Sequence, residues 1–226
     1  MRVRRLSSIV WIALLATGCA SAPAGSYFPP PTDPATARLS QTLHRAAVAA
    51  GDDPARYSFA FIKSPVATAA SDEDATFFIT DGLMRQPQPV VDAVVAHEVA
   101  HEVLGHVGSR RALSLTLSAG FGAAGMIAPG AGLLDFIVNP LAVRAFSRRQ
   151  ELAADQKAVE ILRAMGYATP RRTMADALRA IDSSGPKPKE QLGGALDTHP
   201  SLDARLAALE PLEPLAQPIA NAEKPR

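Results

Sequence analysis

Cysteine is nearly missing from this chain: Cys19 is the only one in 226 residues, so no internal disulfide can form and no fold built on covalent staples is open to it. A surplus of charge of one sign is missing too. The 23 basic residues stand against 22 acidic ones, and Arg2, Arg4 and Arg5 crowd the first few positions. Without residues 1–18 the balance is 20 basic against 22 acidic, near −2, which argues against nucleic acid as a partner. An uninterrupted long apolar run is the third absence. Ile9 to Ala16 is too short for an ordinary membrane span, and the uncharged stretch 112–134, by length alone enough to cross a bilayer once, is interrupted by five glycines and Pro129.

What is present begins with the leader MRVRRLSSIVWIALLATGCA, whose basic start, short apolar run and small residues before Cys19 read as a secretory signal. Leu15-Ala16-Thr17-Gly18-Cys19 resembles a bacterial lipoprotein signal, which implies that Cys19 becomes a lipidated N-terminus. Ala20 in place of aspartate after it implies, by the same resemblance, the outer membrane and a periplasm-facing body. Four stretches follow from this reading: a signal peptide at 1–18, a Pro-rich tether at 19–33, a single domain at 34–210, and a flexible tail at 211–226.

Within the domain, Asp33-Pro34 is a helix start with a capping carboxylate and a proline whose missing N–H costs nothing in the first turn; the pattern predicts a helix to Gly51. YSFAFIK (57–63) and ATFFIT (75–80) predict two strands that pair across the polar turn SDED. A helix is expected from about Pro89 to Val107, and another from the capping-box pattern at Ser147 to Gly166. Thr169-Pro170 starts one more, reaching about Ile181. A loop at 183–197 and a short helix in SLDARLAALE close the domain. The class is α+β, mainly helical.

The densest chemistry lies in HEVAHEVLGHV (97–107). Only His97, Glu98 and His101 stand in the His-Glu-x-x-His register. At about 100° per residue, His97 and His101 lie about 40° apart and one turn from each other, so both imidazoles reach one ion. His106 falls about 180° from His97 on the same helix and is expected to point away, as is Glu102 at about 140°. The preceding VVDAVVA is apolar and free of Gly and Pro, so the helix is expected to be buried. Two buried histidines and two carboxylates without partners would be costly, and a coordinated cation removes that cost. A hydrolytic zinc commonly has three protein ligands and one open position. Glu151 is the better candidate for the third, with Asp155 one turn on along the same face. From spacing alone the pair also reads as an ordinary solvated helix face. His44 lies on a helix that reads as a solvated or packing element.

HEVAHEVLGH, SRRQELAADQKAVEIL and THPSLDARLAAL, in that order and with FFITDGLM ahead of them, resemble the HtpX- and BepA-like zinc metallopeptidases, the gluzincins related to the CAAX prenyl proteases. The resemblance implies a gluzincin-type domain with a small antiparallel sheet beside the motif helix and one Zn2+ per chain. It implies His97, His101 and Glu151 as metal ligands, Glu98 as catalytic carboxylate, Asp155 and Arg205 as supporting residues, and His199 as a group that assists catalysis or covers the metal. His199 also reads as a turn cap beside Pro200. The implied function is a lipid-anchored endopeptidase acting on misfolded or misassembled envelope proteins. The competing reading is a chaperone-like factor that holds unfolded chains in the same cleft. If Glu151 is a ligand, 112–134 cannot cross the bilayer once, because His97 and residue 151 would then lie on opposite sides.

Overall fold

The computed structural model describes residues 25–72, 75–106, 108, 109, 112, 116, 135–184 and 200–214, with 135–147 as backbone only. Cys19, His199, the loop at 185–197 and nearly all of 112–134 lie outside the described residues. The order of elements is β1 (Ser26–Tyr27), α1 (Pro34–Ala50), β2 (Ser58–Ile62), β3 (Ala69–Asp72), β4 (Thr76–Thr80), α2 (Asp81–Met84), α3 (Gln88–Val103), α4 (Asp135–Ala164), α5 (Pro170–Ser184) and α6 (Leu202–Ala208). A mainly helical body carries one four-stranded sheet.

Helix α1 forms where its caps place it. The Asp33 carboxylate accepts from the N–H groups of Ala35 and Thr36, and Gly51 ends the helix at φ +78°, a left-handed turn glycine takes without strain. Helix α3 is the central element: every residue from Val91 to His101 is buried. It packs against α1, α4 and α5, with β3 along one side. Val91, Val95 and Val99 are wholly buried, each stabilising the fold by about 1.5–3 kcal/mol. Leu39 of α1, Phe61 of β2, Phe77 and Ile79 of β4, Ile161 and Leu162 of α4 and Met174 of α5 share that core.

One polar knot crosses this core. Asp92, fully buried on α3, accepts from Thr42 at 3.2 Å, Arg45 at 2.7 Å, Gln88 at 2.5 Å and Tyr167 at 2.7 Å, so its charge is met from three directions. The bonds join α1, α3 and the turn after α4. They set the rotation of α3 about its axis and therefore the direction in which His97 and His101 face.

The sheet runs β1-β2-β4-β3. The pairing expected between 57–63 and 75–80 exists, in parallel rather than antiparallel sense: Phe59 pairs with Phe77 and Phe61 with Ile79. The reason is β3, whose small residues Ala69, Ala70 and Ser71 carry no strand preference to read. It runs back antiparallel to β4, with Ala70 opposite Phe78, so β2 and β4 end up pointing the same way. The sheet is mixed, and β3 forms its edge.

Two expectations shift in the helices. Ser147 does not start α4, which is already helical from Asp135; a capping-box pattern is a local preference that a running helix does not need. Helix α3 ends at Val103 rather than Val107. Past α6, Pro211 to Pro214 belong to the described body, where the Glu213 carboxylate accepts from the N–H groups of Arg171 and Arg172 and so caps α5.

Candidate active site

Three helices supply the site. His97, Glu98 and His101 come from α3, Glu151 and Asp155 from α4, and Arg205 from α6. The one-turn spacing of each pair lays its members side by side, and the packing of α3 on α4 turns the two pairs toward each other. His101 Nε2 lies 3.1 Å from His97 Nε2, His101 Nε2 lies 3.3 Å from Glu151 Oε1, and His97 Nε2 lies 3.4 Å from Glu151 Oε2. Donors 2.0–2.2 Å from a tetrahedral ion stand about 3.3–3.5 Å apart, so this buried triangle fits a metal of zinc's size. Among the described residues, His97, His101 and Glu151 are the group so arranged. The solvated-face reading of Glu151 and Asp155 is overturned: Glu151 is 4% exposed and Asp155 not at all.

The outward-facing nitrogens are already occupied. His97 Nδ1 lies 3.0 Å from Asp155 Oδ1, and Arg205 grips the same carboxylate through Nε at 2.8 Å and Nη2 at 2.6 Å. Burial pushes the Asp155 carboxyl up, but Arg205 and His97 outweigh it and hold it below the usual aspartate range. Burial also pulls the His97 imidazole down, and here Asp155 and Glu151 win, lifting it to about 9. The same anionic surroundings favour a bound cation. Arg205 also comes within 3.8 Å of Glu151.

Glu98 is 8% exposed, lines the same cleft and stands outside the triangle of ligand atoms. The cleft encloses about 440 Å³. One wall is β3, with Thr68 to Ser71, and the other is apolar, with Met174, Leu178 and Ile181 of α5 and Leu202 of α6. The turn after β4 places the β3 wall. Thr80 Oγ1 donates to Val66 O at 2.7 Å and accepts from Thr68 N–H at 3.0 Å, while Gly82 N–H donates to Ser64 O at 2.9 Å. A Cβ on Gly82 would stand 2.3 Å from Pro65 O, so only glycine lets the two segments touch.

The ATFFIT strand, β4, is an inner strand, and the edge that meets the cleft is β3. Glu102 points away as expected and pairs with Arg56 at 3.1 Å. His44 is exposed on α1. His106 departs from its expected direction. Its Nδ1 lies 3.0 Å from His101 Nδ1, because Gly105, at φ +64°, turns the chain back after α3. A glycine shortly after an apolar helical run was the available signal.

Residues 34–213 match the model of peptidase family M48. The chain is 28% identical over 201 residues to "Protease HtpX homolog" of Limosilactobacillus fermentum, covering 70% of this chain and 64% of that protein. It is 27% identical over 195 residues to "Mitochondrial metalloendopeptidase OMA1" of Schizosaccharomyces pombe, covering 83% of this chain and 56% of the relative. The "Protease HtpX homolog" of Chlorobium phaeobacteroides is 29% identical, with shares of 69% and 62%. The chain thus spans about three fifths of the length of the curated relatives it matches.

Proposed function

The chain belongs to peptidase family M48, and from that premise we propose that it is a zinc-dependent endopeptidase hydrolysing peptide bonds of misfolded or stalled cell-envelope proteins. The observation that carries the reading is the placement of Glu98: a carboxylate inside the cleft, beside the ligand triangle and not part of it. A site in which a metal merely staples helices has no use for such a group, and neither does a cleft that only holds unfolded chains.

His97, His101 and Glu151 would hold a zinc ion, which would supply an acidified water and a Lewis acid for the scissile carbonyl. Glu98 accepts the proton of the attacking water on a carboxylate oxygen and delivers it to the leaving amine nitrogen. Strand β3 orients the substrate. Thr80 N–H donates to Thr68 O, which sets the alternation so that Ala70 faces β4 while the backbone groups of Ala69 and Ser71 face outward, ready for an extended peptide to add as the next strand. The apolar wall receives its side chains. His199 takes the role of oxyanion donor or metal cover; its neighbour Pro200 lines the cleft.

The body is placed at the membrane by lipid on Cys19, facing the periplasm, most naturally from the outer membrane. Among the described residues no helix is long and apolar enough to cross a bilayer. Fatty-acid labelling of the wild type and of Cys19→Ala tests the anchor.

The function is tested by two substitutions with different signatures. Glu98→Gln keeps shape and loses the base, so zinc stays near one per chain while hydrolysis of casein falls by orders of magnitude. Glu151→Gln removes an anionic ligand, so zinc and activity fall together. Glu102→Gln, on the far side of α3, leaves both in place. Loss of zinc in Glu98→Gln, or full activity there, overturns the assignment. Proteins trapped in cells by Glu98→Gln identify the substrates.

A further inference from the structure

His106 is a buried histidine that the hydrolytic scheme above does not use. It is 7% exposed, and its ring meets that of His101 edge to face, with centroids 5.0 Å apart. The contact is directional, Nδ1 to Nδ1 at 3.0 Å, which is hydrogen-bond length and requires one proton between the two nitrogens. The other nitrogen of His101, Nε2, faces His97 and Glu151. A histidine that gives its Nε2 lone pair to a metal carries its proton on Nδ1. His101 is then the donor and His106 Nδ1 the acceptor, with the His106 proton on Nε2.

We propose that His106 is the positioning residue of His101, fixing its tautomer and ring angle for metal binding as Asp155 does for His97. The inference rests on the metal-site reading of His97, His101 and Glu151. It makes the two histidine ligands unequal: one is backed by a carboxylate that Arg205 holds, the other by a neutral imidazole. The segment bearing His106 is itself fixed to the helix of the third ligand, since Gln150, the residue before Glu151, donates through Nε2 to His106 O at 3.3 Å. Gly105 makes the return of the chain possible, and Gln150 holds it there.

Three replacements separate a hydrogen-bond role from a packing role. His106→Phe keeps a ring and removes the acceptor. His106→Asn places a carbonyl oxygen near the position of Nδ1, and His106→Gln places one near Nε2, where it cannot serve His101. For the full chain, Zn2+ affinity is measured by competition with a chromophoric chelator, the Co2+ form by its visible absorption, and the metal-free form by its melting temperature. His106→Phe and His106→Gln are expected to weaken Zn2+ binding by about 10–100-fold and to shift or broaden the Co2+ bands, with His106→Asn retaining most of the wild-type affinity. If His106→Phe fails to fold, the ratio of affinities in His106→Asn and His106→Gln alone decides. Wild-type affinity in His106→Phe, or equal losses in His106→Asn and His106→Gln, overturns the proposal while leaving the metal site standing. A wild-type chain that binds no Zn2+ overturns the metal-site reading and the proposal with it.

Discussion

Replacing Arg205 by Met tests whether the polar cluster behind His97 holds the site together or merely accompanies it. The substitution keeps an unbranched chain of similar reach and removes the charge. Arg205 makes two short hydrogen bonds, 2.8 and 2.6 Å, to a carboxylate with no solvent exposure, and is itself 16% exposed. Hydrogen bonds to charged groups contribute about 1.5–3 kcal/mol each, and breaking one side of a buried ion pair costs about 3–5 kcal/mol. Asp155 keeps one contact, His97 Nδ1 at 3.0 Å, which favours the lower end, about 3 kcal/mol. In a domain of this size each kcal/mol shifts the melting temperature by about 2–4 °C, so the metal-free variant should melt about 6–12 °C lower. Zn2+ affinity should fall about 10–100-fold, because Asp155, still in contact with His97 but released from Arg205, no longer fixes the angle of the His97 ring. Arg179→Met is the control: its pair with Asp176 lies on the surface, both side chains being about half exposed or more, and its loss should stay within about 0.5 kcal/mol. Thermal melts and chelator competition on both variants decide. An Arg205→Met protein that melts and binds zinc like the Arg179→Met control would refute the reasoning.

Gly82→Ala should destabilise the domain by about 2 kcal/mol or more, since the new Cβ meets backbone at 2.3 Å; a denaturation midpoint equal to wild type would contradict the close approach of the 64–68 segment. Ser71→Pro should leave the fold nearly unchanged, because the lost N–H faces outward, yet weaken hydrolysis of extended peptides mainly through KM; unaltered KM removes β3 as the substrate strand. Glu213 ties the chain end to α5. Partial burial pushes its carboxyl up, but the Arg171 and Arg172 N–H groups pull it below its ordinary value of 4.5. Its contribution is therefore present above pH 4.5 and lost as the pH falls below it. Glu213→Ala should cost about 1 kcal/mol at pH 7 and little near pH 3 in equilibrium unfolding, and a cost that does not shrink in acid denies the cap its charge.

Local patterns carried much of this protein into the sequence. Asp33, Pro34 and Gly51 fix both ends of α1 through backbone capping, which depends on neighbours a few residues away. His97, Glu98 and His101 declare a metal pair and a base because the pitch of a helix is known in advance. FFITDGLM was part of the family resemblance, and only the structure gave the reason for its Gly82, which is contact with Ser64 to Val66. Tertiary packing decided what local patterns left open. Glu151 and Asp155 read equally as a solvated face until α4 is laid on α3 and buries them. β3 is made of alanine and serine, residues without strand preference, and becomes an edge strand because β4 offers it a ladder. His106 looked wrongly placed because helical geometry was continued past its end; Gly105 breaks that geometry, and the return of the chain to His101 is settled by contacts with α4 that no spacing along the sequence contains.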